Sequence, residues 1–266
     1  MRRFLTILLL LAACWACVGQ KEDPEEIDPP SGVEPGGATE GDRFFHRVLA
    51  FDFTATWCQY CPNMTEALMT AKQQRPGRIV DIAVHYSDEM SAMEAEAIVQ
   101  RFKVSAFPTA LLDLDPATKF TRQEAGRFTD YVDKTVPLPA CGVALAASYK
   151  EGVLGLSVSV RAVADGSYAV AAALVEDGIV AAQTGAGSQY VNNAVLRGFL
   201  GDGGMDGKSI GSLKAGETGT LVFSAAVSGL PDNLRVVVYV LQDGTVINAD
   251  SCSLNETSDY EYEPDA

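Results

Sequence analysis

Two cysteines separated by two residues are the clearest chemical signal in this sequence. Cys58 and Cys61 follow an apolar run that ends at Asp52 and Phe53, and we expect a helix to begin at Cys58. At the start of a helix, unpaired backbone N–H groups and the helix dipole stabilise a thiolate. We therefore expect Cys58 to attack disulfides and Cys61, one helical turn later, to resolve the mixed disulfide.

The same spacing allows two other interpretations. A cysteine pair can be half of a metal site, but the chain has only two histidines, His46 and His85, and no second ligand pair at suitable spacing. The pair can also be a static structural disulfide. Because the sequence also lacks a glycine-rich phosphate loop, we expect neither a metal nor any other cofactor.

The elements around the pair alternate between strand and helix from residue 44 to about residue 137. The short apolar run 48–53 predicts a buried strand, and apolar residues recur at helical spacing across 62–74. Two more strands and two more helices are predicted along this region, at residues 78–85, 91–103, 109–114 and 121–135. This order predicts an α/β layer fold, with His85 closing a strand as a satisfied polar residue.

After residue 138 the pattern changes to period two. Leu154, Leu156, Val158 and Val160 alternate with small or polar residues, and Asp-Gly pairs supply hairpin turns. We expect an antiparallel, immunoglobulin-like β-sandwich of about seven strands at residues 139–254. The glycine-rich stretch 184–218 has no clear assignment.

Cys141 and Cys252 lie near the two ends of this β region. Disulfides persist outside the cytoplasm, so we expect these two residues to form a structural disulfide. Two buried free thiols are the alternative.

The first thirteen residues predict a signal peptide. Arg2 and Arg3 precede a short apolar run, and the small residues before Cys14 resemble a lipobox, so Cys14 is the expected lipidation site, with Cys17 a second candidate. A plain secretory signal with incidental cysteines is the alternative. Residues 14–41 are rich in proline, glycine and acids and predict a flexible tether, and the acidic residues 255–266 predict a disordered tail. The expected location is the outer membrane, lipid-anchored on its periplasmic or cell-surface face.

The charge of the chain restricts its partners. The formal net charge is −15, and an acidic protein repels nucleic acid and anionic lipid headgroups. We expect no nucleic-acid partner, and contact with the membrane only through the lipid anchor.

Residues 42–138 resemble thioredoxin. The resemblance is carried by Trp57 before the cysteine pair, by the Asp52-Phe53 strand end, and by the distant sequence Phe107-Pro108-Thr109. It implies a thioredoxin-like domain in which Pro108 is cis and lies opposite the cysteines. It further implies that Trp57, Phe107 and Pro108 form a substrate groove, and that Asp52 is a buried carboxyl that relays a proton to and from Cys61. Asp52 as a plain strand-end residue and a trans Pro108 are the alternatives.

The chain as a whole is similar to the outer-membrane-protein-28-related lipoproteins, which couple a thioredoxin-like domain to a β domain. The carrying residues are Phe53-Thr54, Cys58 to Pro62, Val84-His85 and Tyr190 to Arg197. The last of these motifs normally shows histidines where this chain has Asn192 and Ala194.

Two functions of different class follow from these observations. The first is a membrane-anchored extracytoplasmic thiol–disulfide oxidoreductase that acts on exported proteins with cysteines, or exchanges with a disulfide redox partner, through Cys58 and Cys61. The second is a non-catalytic binding or structural outer-membrane lipoprotein in which the cysteine pair is a staple. Fold alone does not decide between the two.

Overall fold

The computed structural model describes residues 43–226 and 233–264. The expected signal peptide, the candidate lipidation site Cys14, Cys17 and almost all of the tether lie outside the described residues.

The first part of the described chain alternates strand and helix, as the apolar spacing predicts. Its elements are β1 (Val48–Thr54), α1 (Cys61–Gln74), β2 (Ile79–His85), α2 (Ala95–Arg101), β3 (Thr109–Leu112) and α3 (Ala125–Thr135). Strand β1 pairs in parallel with β2 and antiparallel with β3. All seven residues of β1 are buried, as its nearly continuous apolar sequence requires.

The rest of the described chain is built almost entirely of strands. They are β4 (Gly142–Lys150), β5 (Val153–Arg161), β6 (Gly166–Glu176), β7 (Ile179–Gln183), β8 (Gly187–Asn192), β9 (Val195–Phe199), β10 (Lys208–Leu213), β11 (Thr218–Ala226), β12 (Leu234–Gln242), β13 (Thr245–Ser253) and β14 (Thr257–Ser258). In β5, residues alternate between buried and half-buried, which confirms the period-two prediction for Leu154 to Val160.

One sheet of eight strands joins the two parts of the chain. Its order is β13-β12-β6-β9-β2-β1-β3, with β10 paired to β6. The join is made by β9, which pairs in parallel with β2 at Ala83 and Val195 and antiparallel with β6. The backbone N–H of Ala83 also donates to the carbonyl oxygen of Ala194 at 2.7 Å.

The expected fold, a thioredoxin-like α/β domain followed by an immunoglobulin-like sandwich, is therefore wrong. The described residues are mostly strand, and β1 to β3 are one end of a larger sheet that continues into the second part of the chain. The pairing runs across the expected division between residues 138 and 139. The sequence pattern shows which residues form strands but not which strand edges pair, and β9 lies inside the stretch that had no assignment.

The core lies on both faces of this sheet. A second sheet, of order β11-β5-β4-β14, covers one face. Alternate residues of β6 point into the two apolar layers: Val170 and Ala172 lie between the sheets, whereas Ala171 and Ala173 pack with residues of β1, β2 and α2. Burial on both faces fixes β6 at the centre of the structure.

Residues 255–264, expected to be disordered, are packed against the start of the described chain. Phe44 pairs with Tyr262, and their rings stack with centroids 5.0 Å apart. Glu263 forms an ion pair with Arg78 at 2.5 Å, and both side chains are largely buried. The aromatic residues within the acidic sequence supply the apolar surface that a disordered tail lacks.

Cys141 and Cys252 are free thiols, so the expected disulfide between them is not formed. Both residues are buried in the apolar layer between the two sheets. Burial raises the pKa of both thiols. The alternative of two buried free thiols is the one the structure has, and such thiols are chemically inert.

Candidate functional site

The two cysteines of the candidate site are joined by a disulfide where β1 passes into α1. Cys61 is the first residue of α1, whereas Cys58 lies in the preceding turn with its N–H donating to the carbonyl oxygen of Ala55 at 3.1 Å. The helix therefore begins three residues later than expected. Cys58 is only 4% exposed, and both cysteines form a small apolar cluster with Ala55, against which Phe107 packs.

Aromatic side chains surround this cluster. Trp57 is 48% exposed and Tyr60 is 58% exposed. The Trp57 ring lies 5.3 Å from that of Phe107, which stacks on Tyr86 at 5.5 Å. The Phe107–Pro108 peptide bond is cis, as predicted, and Pro108 is buried. The structure thus brings Trp57 and Phe107 together beside the disulfide, with Pro108 next to Phe107 in the chain.

Asp52 is a buried carboxyl on β1 that contacts Thr65 of α1, the helix that begins at Cys61. Its Oδ2 accepts a hydrogen bond from the Thr65 hydroxyl at 3.3 Å, and that hydroxyl also lies 3.4 Å from the carbonyl oxygen of Cys61. The Oδ1 atom has no hydrogen-bond partner among the described residues. Burial raises the pKa of Asp52 to about 7, and the nearby Asp81 adds to the rise. A carboxyl with this pKa can give or take a proton at neutral pH.

A small cavity adjoins the Asp52 carboxyl. It has a volume of about 30 Å³, and its lining includes His85, Tyr190 and Asn192. A cavity of this size has room for about two water molecules. Asn192 occupies one of the positions where the resembling family normally has histidine, so the sequence departs from that family beside the Asp52 carboxyl.

Asp88 anchors the turn that carries Cys58. Its Oδ2 accepts the backbone N–H of Thr56 at 2.8 Å and lies 2.8 Å from Nδ1 of His85. Burial alone would raise the pKa of Asp88, but the hydrogen bonds from His85 and the backbone outweigh burial and hold the pKa below its usual value. His85 is therefore a satisfied polar residue, as expected. Sequence reasoning missed Asp88, since it lies in a turn with no motif of its own.

A hairpin from the second part of the chain completes the site. Strands β7 and β8 form this hairpin, and Gln183 is buried against the cysteine turn. Its Nε2 donates to the carbonyl oxygens of Ala55 at 3.0 Å and Cys58 at 2.9 Å. No local sequence signal marks Gln183, because its partners lie more than a hundred residues earlier in the chain.

The comparison with protein families assigns the chain to one family. Residues 95–258, more than half of the chain, match the family described as outer membrane protein Omp28. The chain belongs to this family, whose description points to the outer membrane. The matched region includes the β7–β8 hairpin but not the cysteine pair or Asp52. No curated protein matches the chain, and within residues 43–226 and 233–264 no helix is long and apolar enough to cross a membrane.

Two solved structures share the fold. HBP35 of Porphyromonas gingivalis is 18% identical, with a TM-score of 0.70 over 85% of this chain and 80% of that chain. An X-ray structure of a protein from Agrobacterium tumefaciens is 14% identical, with a TM-score of 0.54 over 82% of this chain and 97% of that chain. Both matches extend over most of the chain, in agreement with a sheet that joins its two parts.

Proposed function

We propose that this protein is an extracytoplasmic thiol–disulfide oxidoreductase that acts on cysteines of exported proteins through Cys58 and Cys61. The observation that carries the proposal is a disulfide-bonded pair at the start of α1 together with a buried carboxyl on the adjoining strand β1, whose pKa is raised to about 7. Thr65 of α1 contacts both this carboxyl and the backbone carbonyl of Cys61. A staple needs no proton carrier, whereas thiol–disulfide exchange moves a proton on and off the resolving thiol.

In the reducing direction, the Cys58 thiolate attacks one sulfur of a substrate disulfide and releases the other as a thiolate. Cys61 then gives its proton to Asp52 and attacks Cys58 in the mixed disulfide. The second substrate thiolate leaves, and two electrons have passed from the pair to the substrate. A second dithiol protein must reduce Cys58–Cys61 again, so the proposal includes a disulfide redox partner.

The surface around the pair suits a polypeptide substrate. Trp57 and Tyr60 present exposed aromatic area next to the disulfide, which can contact the apolar side chains of a bound segment. The ring of Phe107 contacts Trp57, and the buried Pro108 follows it in the chain. We expect the backbone of Phe107 to form hydrogen bonds with such a segment.

The reduction potential of Cys58–Cys61 in the mature protein tests the proposal. We expect a value above roughly −280 mV, in the range of catalytic pairs, and its position in that range will indicate the redox direction. The measurement is equilibration with glutathione or dithiothreitol followed by thiol trapping. A value well below roughly −300 mV would identify a structural disulfide.

That second outcome would favour the non-catalytic binding or structural lipoprotein. The burial of Cys58 is the observation on its side, since a staple requires no access to solvent. In that case the pair would stabilise the turn between β1 and α1.

We further propose that Cys14 carries the lipid anchor that holds the protein at the outer membrane, on its periplasmic or cell-surface face. Cys14→Ser is expected to remove a fatty-acid label and to move the protein from the membrane to the soluble fraction, because two acyl chains are needed for a firm anchor. Cys17→Ser is the matched control and is expected to keep both the label and the location. Loss of the label in Cys17→Ser alone would assign the anchor to Cys17.

A further inference from the structure

The hairpin formed by β7 and β8 lies directly on the turn that holds Cys58. Besides the two hydrogen bonds from Gln183, the backbone N–H of Thr184 donates to the carbonyl oxygen of Thr56 at 2.8 Å. Gly185 lies so close to Gln59 that a Cβ atom at position 185 would overlap its carbonyl oxygen. Three carbonyl groups of the cysteine turn, at Ala55, Thr56 and Cys58, are thus bound by the hairpin.

The disulfide beside these contacts is almost inaccessible to solvent. Exchange requires a sulfur or phosphorus atom of the reactant to approach one sulfur of the pair. Cys58 is 4% exposed, although its neighbours Trp57 and Tyr60 are about half exposed. The hairpin binds the backbone carbonyl groups of the turn that holds Cys58, and Phe107 packs against the cysteine cluster, so the pair is buried between the two.

We infer that the β7–β8 hairpin is a gate over the Cys58–Cys61 disulfide and that Gln183 is the positioning residue that holds the gate closed. This inference rests on the proposed redox function of the pair. The pair reacts from an open state in which the tip of the hairpin has left the cysteine turn. The gate determines specificity, because a substrate must wait for this opening or displace the hairpin.

Two glycines of the hairpin provide a matched test. Gly185 and Gly187 have φ values of +87° and +98°, so alanine is strained at both positions. At position 185 the added Cβ would overlap the Gln59 carbonyl oxygen, whereas at position 187 it would meet no atom of residues 43–226 and 233–264 within 4 Å. Gly185→Ala must push the hairpin away from the cysteine turn, and Gly187→Ala introduces backbone strain alone.

Gln183 has a matched control in the same hairpin. Gln189 is exposed, and among the described residues its amide donates only to the neighbouring carbonyl of Ser188. Gln183→Ala removes the hydrogen bonds that hold the gate closed, and Gln189→Ala changes the same residue type without touching the cysteine turn.

The measurement is the rate at which dithiothreitol and, separately, tris(2-carboxyethyl)phosphine reduce the disulfide in the full mature protein. We expect reduction to be about tenfold faster in Gly185→Ala and in Gln183→Ala, as the loss of one or two net hydrogen bonds from the closed state predicts. Gly187→Ala and Gln189→Ala are expected to stay near the wild-type rate. Circular dichroism checks that each variant is folded, and Gln183→Ala supplies the test if Gly185→Ala is not.

Wild-type rates in both test variants would overturn the gate, as would equal acceleration in a test variant and its control. These outcomes are separate from the proposed redox function, because a chemical reductant reports access whether or not the pair turns over proteins. A reduction potential in the structural range together with fast test variants would remove the redox function and leave a gated disulfide. A potential in the catalytic range with unchanged rates would remove only the gate.

Discussion

Cys61→Ser is expected to accumulate mixed disulfides between Cys58 and exported proteins, whereas Cys58→Ser is expected to accumulate none. The attacking thiol remains in the first variant, and only the thiol that releases the bound protein is missing. Both variants should lose turnover to the background rate of uncatalysed exchange. Non-reducing electrophoresis of alkylated cell extracts, followed by mass spectrometry of the adducts, makes the measurement.

The two variants are controls for each other. Each lacks the Cys58–Cys61 disulfide, which joins residues only three apart in sequence, so any loss of stability is shared. Such a short loop also contributes little chain entropy to stability. Cys141→Ser and Cys252→Ser remove buried free thiols and should change neither turnover nor trapping. Equal trapping in Cys58→Ser and Cys61→Ser would contradict the assigned roles.

The features that could be predicted from the sequence are local ones. The strand before Cys58, the helix after it and the period-two pattern of β5 each depend on residues close together in the chain, so the apolar spacing contains the information. The burial of Asp52 is implied instead by the resemblance to thioredoxin, and it fits a strand whose seven residues are all buried. Even here, α1 begins at Cys61 and not at the expected Cys58, because Cys58 lies in a turn in which its N–H donates to the carbonyl oxygen of Ala55.

The features that could not be predicted depend on pairing between distant segments. The parallel pairing of β9 with β2 joins the strands of both parts of the chain into one sheet. Yet β9 is only five residues long, and it contains the charged Arg197 and a glycine, Gly198. The contacts of Gln183 with Ala55 and Cys58 have the same origin. No sequence pattern in β9 or around Gln183 identifies the distant residues that each contacts. Strand β9 lies within residues 184–218, which have no assignment from the sequence, and Gln183 lies next to them.

Two buried carboxyls allow the role of Asp52 to be separated from its effect on stability. Burial raises the pKa of Asp52 and that of Asp113 to about 7. Asp113 accepts the backbone N–H of Leu49 at 2.8 Å. It lies in the turn after β3, whereas Asp52 contacts Thr65 of α1, the helix that carries Cys61. The two carboxyls therefore have similar raised pKa values, but only Asp52 lies against the helix that carries Cys61.

The sign of the effect on stability is the same at both positions. Each folded-state pKa is raised above its value of about 3.9 in the unfolded chain, so the folded state binds more protons between the two pKa values. The stability that each carboxyl contributes is complete below about pH 4 and is lost as the pH rises to about 7. Asp52→Asn and Asp113→Asn are each expected to flatten this fall in the free energy of unfolding by up to a few kcal/mol. Urea unfolding of the wild-type protein and of each variant between pH 4 and pH 8 measures this pH dependence of the free energy of unfolding.

Only Asp52→Asn is expected to change the chemistry of the pair. In the reducing direction Asp52 must be ionised to accept the proton of Cys61, so the single-turnover rate of the wild-type protein should rise with pH through about 7. Asparagine cannot take the proton, and the rate at pH 8 should fall by roughly a hundredfold and lose its inflection near neutrality. Asp113→Asn should keep both the rate and the inflection, because its side chain touches no part of the cysteine turn. An inflection that survives in Asp52→Asn, or disappears in Asp113→Asn, would show that Asp52 is a buried structural carboxyl and that the proton of Cys61 leaves by another route.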